Sequence, residues 1–318
     1  MVEFITVDEP LVGVGCILGE GPVWQAETET LHFVDISAAK VYHLDANTLE
    51  YRADEFDEKI TSIALRAGHK GSLACTTQRG FALIHPASDL QSNRPQLEYL
   101  AEPLPPALLP YTRFNDGACD SRGRYFAGSV FNKAREEVVG KLYRYDPARK
   151  GTDEACVVVD EGPFTDSNGL GWSPDERTFY FTDSWKRLIY AYDYDIETGS
   201  ISNRRPFLDG AALNLPGIFD GMCIDDEGCI WSAMWNGSHL YRFKDGVVDI
   251  DLSFPKVLRV TSCCFGGPNL DQLYITTAHC AAEGGNPNMQ YQFPDSGHLF
   301  KVNFAGRFKG AKRGIFLQ

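Results

Sequence analysis

Pairs of short runs of strand-forming residues recur six times along this chain, each pair ending in an apolar residue beside a polar one. The first runs lie near Phe33, Ala74, Phe126, Phe181, Trp231 and Tyr274, about 40 to 55 residues apart. A period of this length is typical of propellers and solenoids. Six such units that close into a ring leave no long exposed strand edge. The sequence therefore predicts an all-β fold, a six-bladed β-propeller.

The repeat also predicts the domain organisation. A chain of 318 residues would suggest two domains at about 150 residues each. Blades that surround one axis form a single unit, however, so we predict one domain over residues 1–318. The proline-rich stretch 103–110 is interpreted as a rigid connection between blades, because the repeat resumes directly after it. No long stretch of the sequence has apolar residues at helical spacing, so little helix is expected.

The charge of the chain disfavours two classes of partner. The formal net charge is −13, and the basic residues concentrate only in the tail around Arg307, Lys309, Lys312 and Arg313, interpreted as a solvated end. We therefore predict no nucleic-acid partner. No apolar run approaches the length of a membrane helix, so no membrane partner is predicted either. An anionic substrate would need a local cation, either an arginine or a metal.

The cysteines and the N-terminus bear on the cellular compartment. The nine cysteines lack a CxxC spacing, which argues against a zinc ribbon or a thioredoxin-type site. Several lie within apolar runs and are interpreted as buried thiols. The first residues, MVEFITVDEP, have neither a basic nor an apolar signal region. We predict a cytoplasmic location.

Four segments interrupt the strand pattern by placing polar residues beside glycine. They are LGEGPVW (18–24), RFNDG (113–117), DSNGL (166–170) and FDGM (219–222). Each lies shortly before the first run of a repeat, and equivalent positions of a propeller converge on its axis. Glu20, Asn115, Asn168 and Asp220 are therefore predicted to share one mouth, since local inconsistency of this kind often marks a functional site. The alternative interpretation is that Asn-Gly and Asp-Gly merely form turns. Asp35, Asp183, Asp225 and Asp226 lie at strand ends or in turns and are predicted to be structural.

The residue types in this mouth suit a hard divalent cation. Glu20 and Asp220 would supply anionic oxygens and Asn168 a neutral carbonyl oxygen. Three protein ligands would leave positions open for water and substrate. Calcium, magnesium and manganese fit such oxygens, with zinc and iron as alternatives. Arg113 could donate several hydrogen bonds to a carboxylate or a polyhydroxyl ligand.

The same segments resemble motifs of the SMP-30/gluconolactonase/regucalcin family. The blocks LGEGPVW, RFNDGACDSRGRYFAGS, SNGLGWSPDERTFYFTDS and FDGMCIDDEGCIWSAMWNG occur in the family's order and span most of the chain. The resemblance implies a six-bladed propeller with one divalent cation in its mouth and hydrolysis of a small-molecule sugar lactone. Glu20, Asn168 and Asp220 match the family's metal ligands, and Arg113 and Asn115 match its substrate-contacting residues.

The chain departs from the animal members of this family at one position. A substrate-contacting glutamate follows the RYFAG block in those proteins, and that position falls near Lys133 here. Either Glu136 or Glu137 reaches the mouth from a longer loop, or substrate recognition differs, and the second interpretation is preferred. His279, at the start of the unusual loop 279–294, could line the mouth, but a lone histidine is more often structural and that interpretation is preferred.

These observations predict a metal-dependent sugar lactonase that forms an open-chain aldonic acid, with Asp220 as the catalytic general base. One alternative is a metal-dependent esterase that acts on another ester, and another is a non-catalytic calcium-binding regulatory propeller. The chain lacks the GxSxG motif of serine hydrolases and the Gly-His…Trp-Asp signature of WD40 repeats. The particular lactone and the oligomeric state stay open.

Overall fold

The computed structural model describes residues 1–87, 94–130 and 138–317. In chain order its first twelve strands are β1 (Glu3–Thr6), β2 (Gly19–Gln25), β3 (Thr30–Asp35), β4 (Lys40–Asp45), β5 (Tyr51–Glu55), β6 (Ile60–Leu65), β7 (Leu73–Thr77), β8 (Phe81–His85), β9 (Gln96–Ala101), β10 (Phe114–Cys119), β11 (Tyr125–Ser129) and β12 (Gly140–Tyr145). The others are β13 (Cys156–Phe164), β14 (Ser167–Trp172), β15 (Thr178–Asp183), β16 (Leu188–Asp195), β17 (Ser200–Asp209), β18 (Ile218–Ile224), β19 (Ile230–Trp235), β20 (His239–Lys244), β21 (Val247–Ser253), β22 (Arg259–Gly266), β23 (Gln272–Ala278) and β24 (Phe300–Asn303).

Helical structure in the described residues is limited to short 3-10 turns. They lie at Ala26–Thr28, Pro106–Leu108, Pro147–Arg149, Ala282–Gly284 and Pro287–Tyr291. The expectation of little helix is thus confirmed. Within the same residues, no helix has the length and apolar character needed to cross a membrane.

The strands form six sheets around one axis, antiparallel except for the added strand β1, and the predicted six-bladed β-propeller is confirmed. Five sheets contain four consecutive antiparallel strands, from β2–β5 through β18–β21, and β22–β24 form the sixth. The innermost strands β2, β6, β10, β14, β18 and β22 contact one another in sequence, and β22 contacts β2 again. This circular order closes the ring.

Apolar side chains pack between neighbouring blades because they alternate along the second and third strands of each sheet. In β15, for example, Phe179 and Phe181 are fully buried. Phe126 of the preceding blade lies 5.5 Å from the Phe179 ring and 5.3 Å from the Trp172 ring, measured between centroids. Aromatic pairs at such distances add stabilisation beyond the burial of their area.

The four polar segments form strands, and each interrupts the regular strand alternation as the sequence predicts. The runs recognised from the sequence are the second and third strands of each blade, such as β3 and β4. The polar segments form the innermost strands β2, β10, β14 and β18 instead. Their pattern is irregular because each contains a shift in register, a β-bulge, at the polar residues. The shifts fall between Glu20 and Val23, Phe114 and Gly117, Asn168 and Leu170, and Phe219 and Met222.

Two aspartates predicted to be structural are confirmed in that role. The buried Asp225 accepts hydrogen bonds from the Cys229 amide (2.8 Å), the Trp231 indole (2.9 Å) and Arg242 Nε (2.7 Å). Asp35 accepts hydrogen bonds from the backbone amides of residues 17, 18 and 38. These carboxylates hold the turns that connect strands.

The chain termini lie against the ring. β1 pairs in parallel with β21 and extends the fifth sheet. The tail follows the ends of the inner strands, where the Ala311 amide donates to the Ile224 carbonyl (3.0 Å) and the Phe316 amide donates to the Leu65 carbonyl (2.8 Å). The interpretation of the tail as a merely solvated end is therefore wrong for this segment, although Lys312 and Arg313 are exposed.

Candidate functional site

A cavity of about 680 Å³ opens where the inner strands begin, at the end of the ring opposite the C-terminal tail. All five residues predicted from the sequence line it: Glu20, Arg113, Asn115, Asn168 and Asp220. They come from four different blades, since β2, β10, β14 and β18 belong to different sheets. Each bulge brings a polar side chain of an inner strand to the axis, because a bulge redirects side chains locally.

Two buried carboxylates line the same cavity and interact electrostatically. Glu20 is 7% exposed and Asp220 is 4% exposed. Burial raises the pKa of Glu20 well above its usual value, and the nearby Asp116 raises it further. Burial likewise raises the pKa of Asp220, and the charge of Glu20 is the next largest cause. Both carboxylates therefore favour either a proton or a neighbouring cation.

Hydrogen bonds fix the orientation of the amide side chain at position 168. Asn115 Nδ2 donates to Asn168 Oδ1 (2.9 Å) and to the Ser167 carbonyl (2.8 Å). Asn168 Nδ2 donates to Ser184 Oγ (2.8 Å). Because Asn168 is 5% exposed and its amide nitrogen is used, its carbonyl oxygen is the group that can accept a further contact.

Arg113 and Asn115 form a connected pair at the edge of the cavity. Arg113 Nη1 donates to Asn115 Oδ1 (2.5 Å) and to the Phe114 carbonyl (3.0 Å). The second terminal nitrogen, Nη2, points toward Glu283, whose Oε1 lies 3.8 Å away. The guanidinium is therefore held in place with one side toward the cavity.

The donor chemistry of the predicted metal ligands fits a hard divalent cation. Among the described residues, no cationic side chain forms an ion pair with Glu20 or Asp220. The described part of the chain also contains no group of three or more His, Cys, Asp or Glu side chains arranged to hold a metal. A site here would consist of two carboxylates and the Asn168 amide, an all-oxygen set. The roles of these residues stay predictions.

The cavity contains residues that sequence reasoning missed. They include Lys59, Gln78, Trp185, Arg259 and Glu283. Most lie at strand ends or in loops, where no periodicity marks them in the sequence. His279 is absent from the residues that line the cavity, and its Nδ1 accepts a hydrogen bond from the Ala281 amide (3.0 Å). Lys133, Glu136 and Glu137 lie outside the described residues.

Comparison with known proteins supports the resemblance seen in the motifs. The sequence model of the SMP-30/Gluconolactonase/LRE-like region matches residues 18–279. Regucalcin from Homo sapiens is 35% identical to this chain over 310 residues, which cover 92% of each protein.

Solved structures show the same fold. A luciferin-regenerating enzyme superimposes with a TM-score of 0.84 at 30% identity, covering 98% of each chain. A protein from Agrobacterium tumefaciens described as calcium-binding, regucalcin, superimposes with a TM-score of 0.82 at 21% identity, covering 100% of this chain and 99% of its own. From the family match and the identity to regucalcin, we conclude that this chain belongs to the SMP-30/gluconolactonase/LRE-like family.

Proposed function

We propose that this protein hydrolyses a sugar lactone to the open-chain aldonic acid, with one divalent cation held by Glu20, Asn168 and Asp220. The observation that most supports this proposal is the convergence of two buried carboxylates and an oriented amide beside the Arg113–Asn115 pair in one cavity. Membership of a family whose description includes gluconolactonase supports the same reaction.

The substrate side of the reaction is assigned to Arg113 and Asn115. Arg113 Nη2 can donate to a hydroxyl oxygen of the sugar, and Asn115 Oδ1 can accept from a sugar hydroxyl, so the two residues hold the ring in one orientation. Arg113 is partly buried and already bonded to Asn115, so little side-chain freedom is lost when substrate binds. These two residues would therefore contribute mainly to orientation.

Asp220 is assigned the role of general base. It accepts a proton from the water that attacks the lactone carbonyl carbon. The bond between the carbonyl carbon and the ring oxygen then breaks, and the ring oxygen leaves as a hydroxyl group after it receives that proton. The Asp220 side chain lines the cavity, where a carboxylate oxygen can come within hydrogen-bond reach of that water.

The cation would be held by oxygens of Glu20, Asn168 and Asp220. When bound, it would polarise the lactone carbonyl as a Lewis acid. Its positive charge would also offset the repulsion between the two carboxylates.

The second candidate function is binding of calcium without catalysis. It is favoured by the 35% identity to human regucalcin and by the shared fold with an Agrobacterium protein described as calcium-binding. The same three oxygen ligands would serve, and the protein would bind calcium selectively without turning over any lactone.

A panel of aldonolactones, assayed by acid release with and without a chelator, separates the two functions. Lactones open spontaneously in water, so each rate is compared with the rate without protein. The lactonase proposal expects catalysed release from at least one lactone, which the chelator abolishes. Tight calcium binding without release from any lactone would favour the second candidate, and release from simple esters alone would favour a different esterase.

A further inference from the structure

The bulge of β2 that carries Glu20 depends on support from outside its own sheet. The register between β2 and β3 shifts between Glu20 and Val23, so the intervening Gly21 and Pro22 have no paired residue in β3. Gly21 has a left-handed backbone with φ 51°, and Pro22 is buried. A buried carbonyl that lacks a partner costs free energy, so the bulge keeps this shape only where other groups bind its carbonyls.

Two side chains from distant parts of the chain bind carbonyls at this bulge. Thr261 Oγ1, in β22, donates to the Gly19 carbonyl (2.5 Å) just before it. Arg313 Nη1, in the C-terminal tail, donates to the Pro22 carbonyl (2.9 Å) within it. The two contacts lie on either side of Glu20 in the sequence. They therefore fix the backbone from which the Glu20 side chain extends to line the cavity.

The tail is held in place on both sides of Arg313. The Ala311 amide donates to the Ile224 carbonyl (3.0 Å). A Cβ atom at Gly314 would lie 2.1 Å from the Asp120 carbonyl oxygen, so the tail backbone packs directly on the chain that follows β10. Although Arg313 itself is exposed, its backbone is thus fixed at the end of the ring opposite the cavity.

The guanidinium of Arg313 lies near the axis of the ring. Burial raises the pKa of Asp116 and of the thiols of Cys119, Cys223 and Cys264, and the charge of Arg313 opposes this rise in each case. These four groups belong to the innermost strands β10, β18 and β22. Together with β2, whose carbonyl it binds, Arg313 therefore interacts with the inner strands of four blades.

The hydrogen bond of Arg313 and its charge should affect cation binding in opposite directions. A positive charge near the axis repels a cation, so its removal alone would tighten cation binding. Loss of the hydrogen bond would loosen the bulge, and a cation would then bind more weakly because it has to restore the position of Glu20. The charges that act most on Glu20 are those of Asp116 and Arg113, so we expect the hydrogen bond to dominate.

We propose that Arg313 is a positioning residue of the cation site. From the C-terminal tail it holds the β2 bulge in the shape that brings Glu20 to the cation. This inference rests on the proposed function, because it concerns the cation site assigned there. It connects the tail at one end of the ring with the cavity at the other end.

The test measures the binding of Mn²⁺ to the cation-stripped full-length protein by calorimetry. It compares wild type with Arg313→Gln, Thr261→Val and the control Lys312→Gln. Glutamine at position 313 is neutral and too short to reach the Pro22 carbonyl, whereas Thr261→Val removes the other contact without a change in charge. Lys312→Gln removes the same charge from the neighbouring exposed residue. The electron paramagnetic resonance spectrum of the bound Mn²⁺ reports the arrangement of its ligands.

Arg313→Gln should raise the Kd for Mn²⁺ about tenfold, because a hydrogen bond from a charged donor on a partly exposed side chain is worth about that much. Thr261→Val should raise it about fivefold, since its donor is neutral. Both should change the spectrum of bound Mn²⁺, which a merely structural loss of stability would not do. Lys312→Gln should stay within about twofold of wild type, because an exposed charge is screened by solvent.

The possible outcomes distinguish failure of this inference from failure of the proposed function. Unchanged or tighter Mn²⁺ binding by Arg313→Gln would overturn the inference, and so would an equal weakening by Lys312→Gln. Absence of Mn²⁺ binding by wild type would reject the cation site and the inference with it.

Acid release from an aldonolactone is measured on the same samples. If Arg313→Gln binds Mn²⁺ weakly but wild type releases no acid above background, the positioning role is supported while the lactonase function is rejected. If wild type hydrolyses the lactone and Arg313→Gln binds Mn²⁺ as wild type does, the lactonase function stands and the inference fails.

Discussion

At the scale of single residues, the mouth of the propeller concentrates negative charge in a buried place. Burial raises the pKa of Glu20 and of Asp220. The charges of Asp116 and Asp166 raise the pKa of Asp220 further. Buried like charges oppose folding unless a proton or a cation compensates them. We therefore expect these two carboxylates to lower the free energy of unfolding of the protein when no cation is bound.

Replacing Asp220 by asparagine should therefore have opposite effects on activity and on stability. Lactone turnover should fall by about 10²- to 10⁴-fold, the range for loss of a general base. Thermal unfolding of the cation-free protein should shift upward at neutral pH, because a buried carboxylate with a raised pKa is replaced by a neutral amide. Asp226→Asn, at an exposed position just beyond the other end of β18, is the control. Normal turnover by Asp220→Asn would refute the role assigned to this carboxylate.

The buried imidazole of His32 should make the stability of the protein depend on pH. This effect does not involve the cavity. Burial and the neighbouring His43 lower the pKa of His32 from 6.5 to about 3. The imidazole contacts His43 Nδ1 (2.7 Å) and Gln25 Oε1 (2.9 Å). Since the folded state favours neutral His32, its contribution to stability is complete above pH 6.5 and is lost as the pH falls toward 3.

The measurement is the free energy of unfolding in urea from pH 7 to pH 5. Below the unfolded pKa, wild-type protein should lose up to about 1.4 kcal/mol per pH unit through this residue. His32→Gln should lack that part of the loss, and the control His85→Gln, at a partly exposed position, should keep it. Parallel pH profiles of wild type and His32→Gln would contradict the assignment.

At the scale of structural elements, the bulges of the inner strands place the site residues. In β18 the bulge contains Asp220 and Gly221, and a Cβ atom at Gly221 would lie 2.2 Å from Ser262 Oγ of the next blade. The strand can therefore approach its neighbour only because residue 221 is glycine. The position of Asp220 depends on that close approach.

Gly221→Ala is expected to destabilise the protein by about 1 to 3 kcal/mol, the usual cost of overpacking. It should also weaken cation binding, because the strand must shift at the residue beside Asp220. Gly171→Ala in β14 is the matched control, since its Cβ would first meet the flexible end of Ile224 at 3.1 Å. Chemical denaturation measures stability, and calorimetry measures cation binding. Equal effects of the two substitutions would contradict this account of the bulge.

The sequence predicted the elements whose side chains alternate regularly and missed those that do not. β15 and β16 could be recognised because both are rich in aromatic residues, which alternate with aspartates at the end of β16. The outer strand β17 was missed because its residues are mostly exposed and polar, and the inner strand β18 because its bulge breaks the alternation. Glu283 was missed for another reason: its position depends on Arg259, a contact between distant residues that leaves no local pattern.

At the scale of the whole molecule, the C-terminal segment connects several blades across the end of the ring. Its backbone pairs with Ile224 of the fifth blade and Leu65 of the second. Phe316 is fully buried, and its ring centre lies 6.3 Å from that of Tyr125 and 6.0 Å from that of Tyr145. The tail is thus part of the packed structure.

Phe316→Ala should reduce the free energy of unfolding by about 3 to 5 kcal/mol, the usual cost of truncating a buried phenylalanine. Leu317→Ala should cost much less, because Leu317 is 49% exposed. We would follow the unfolding of both variants in denaturant by fluorescence and by circular dichroism. The same curves test the prediction of one domain over residues 1–318. Coincident single transitions would support that prediction. Similar stabilities of the two variants would contradict the packing role of Phe316.

The central claim is that oxygens from three blades hold one cation on which lactone hydrolysis depends. The most direct test titrates cation-stripped protein with a divalent cation while a pH-stat records acid release from gluconolactone. The account predicts no release above the spontaneous rate without the cation, and saturation of the catalysed rate near one bound cation per chain. Glu20→Gln and Asn168→Ala should require more cation to reach half the maximal rate. Full catalysed release from protein that still lacks the cation would contradict the claim.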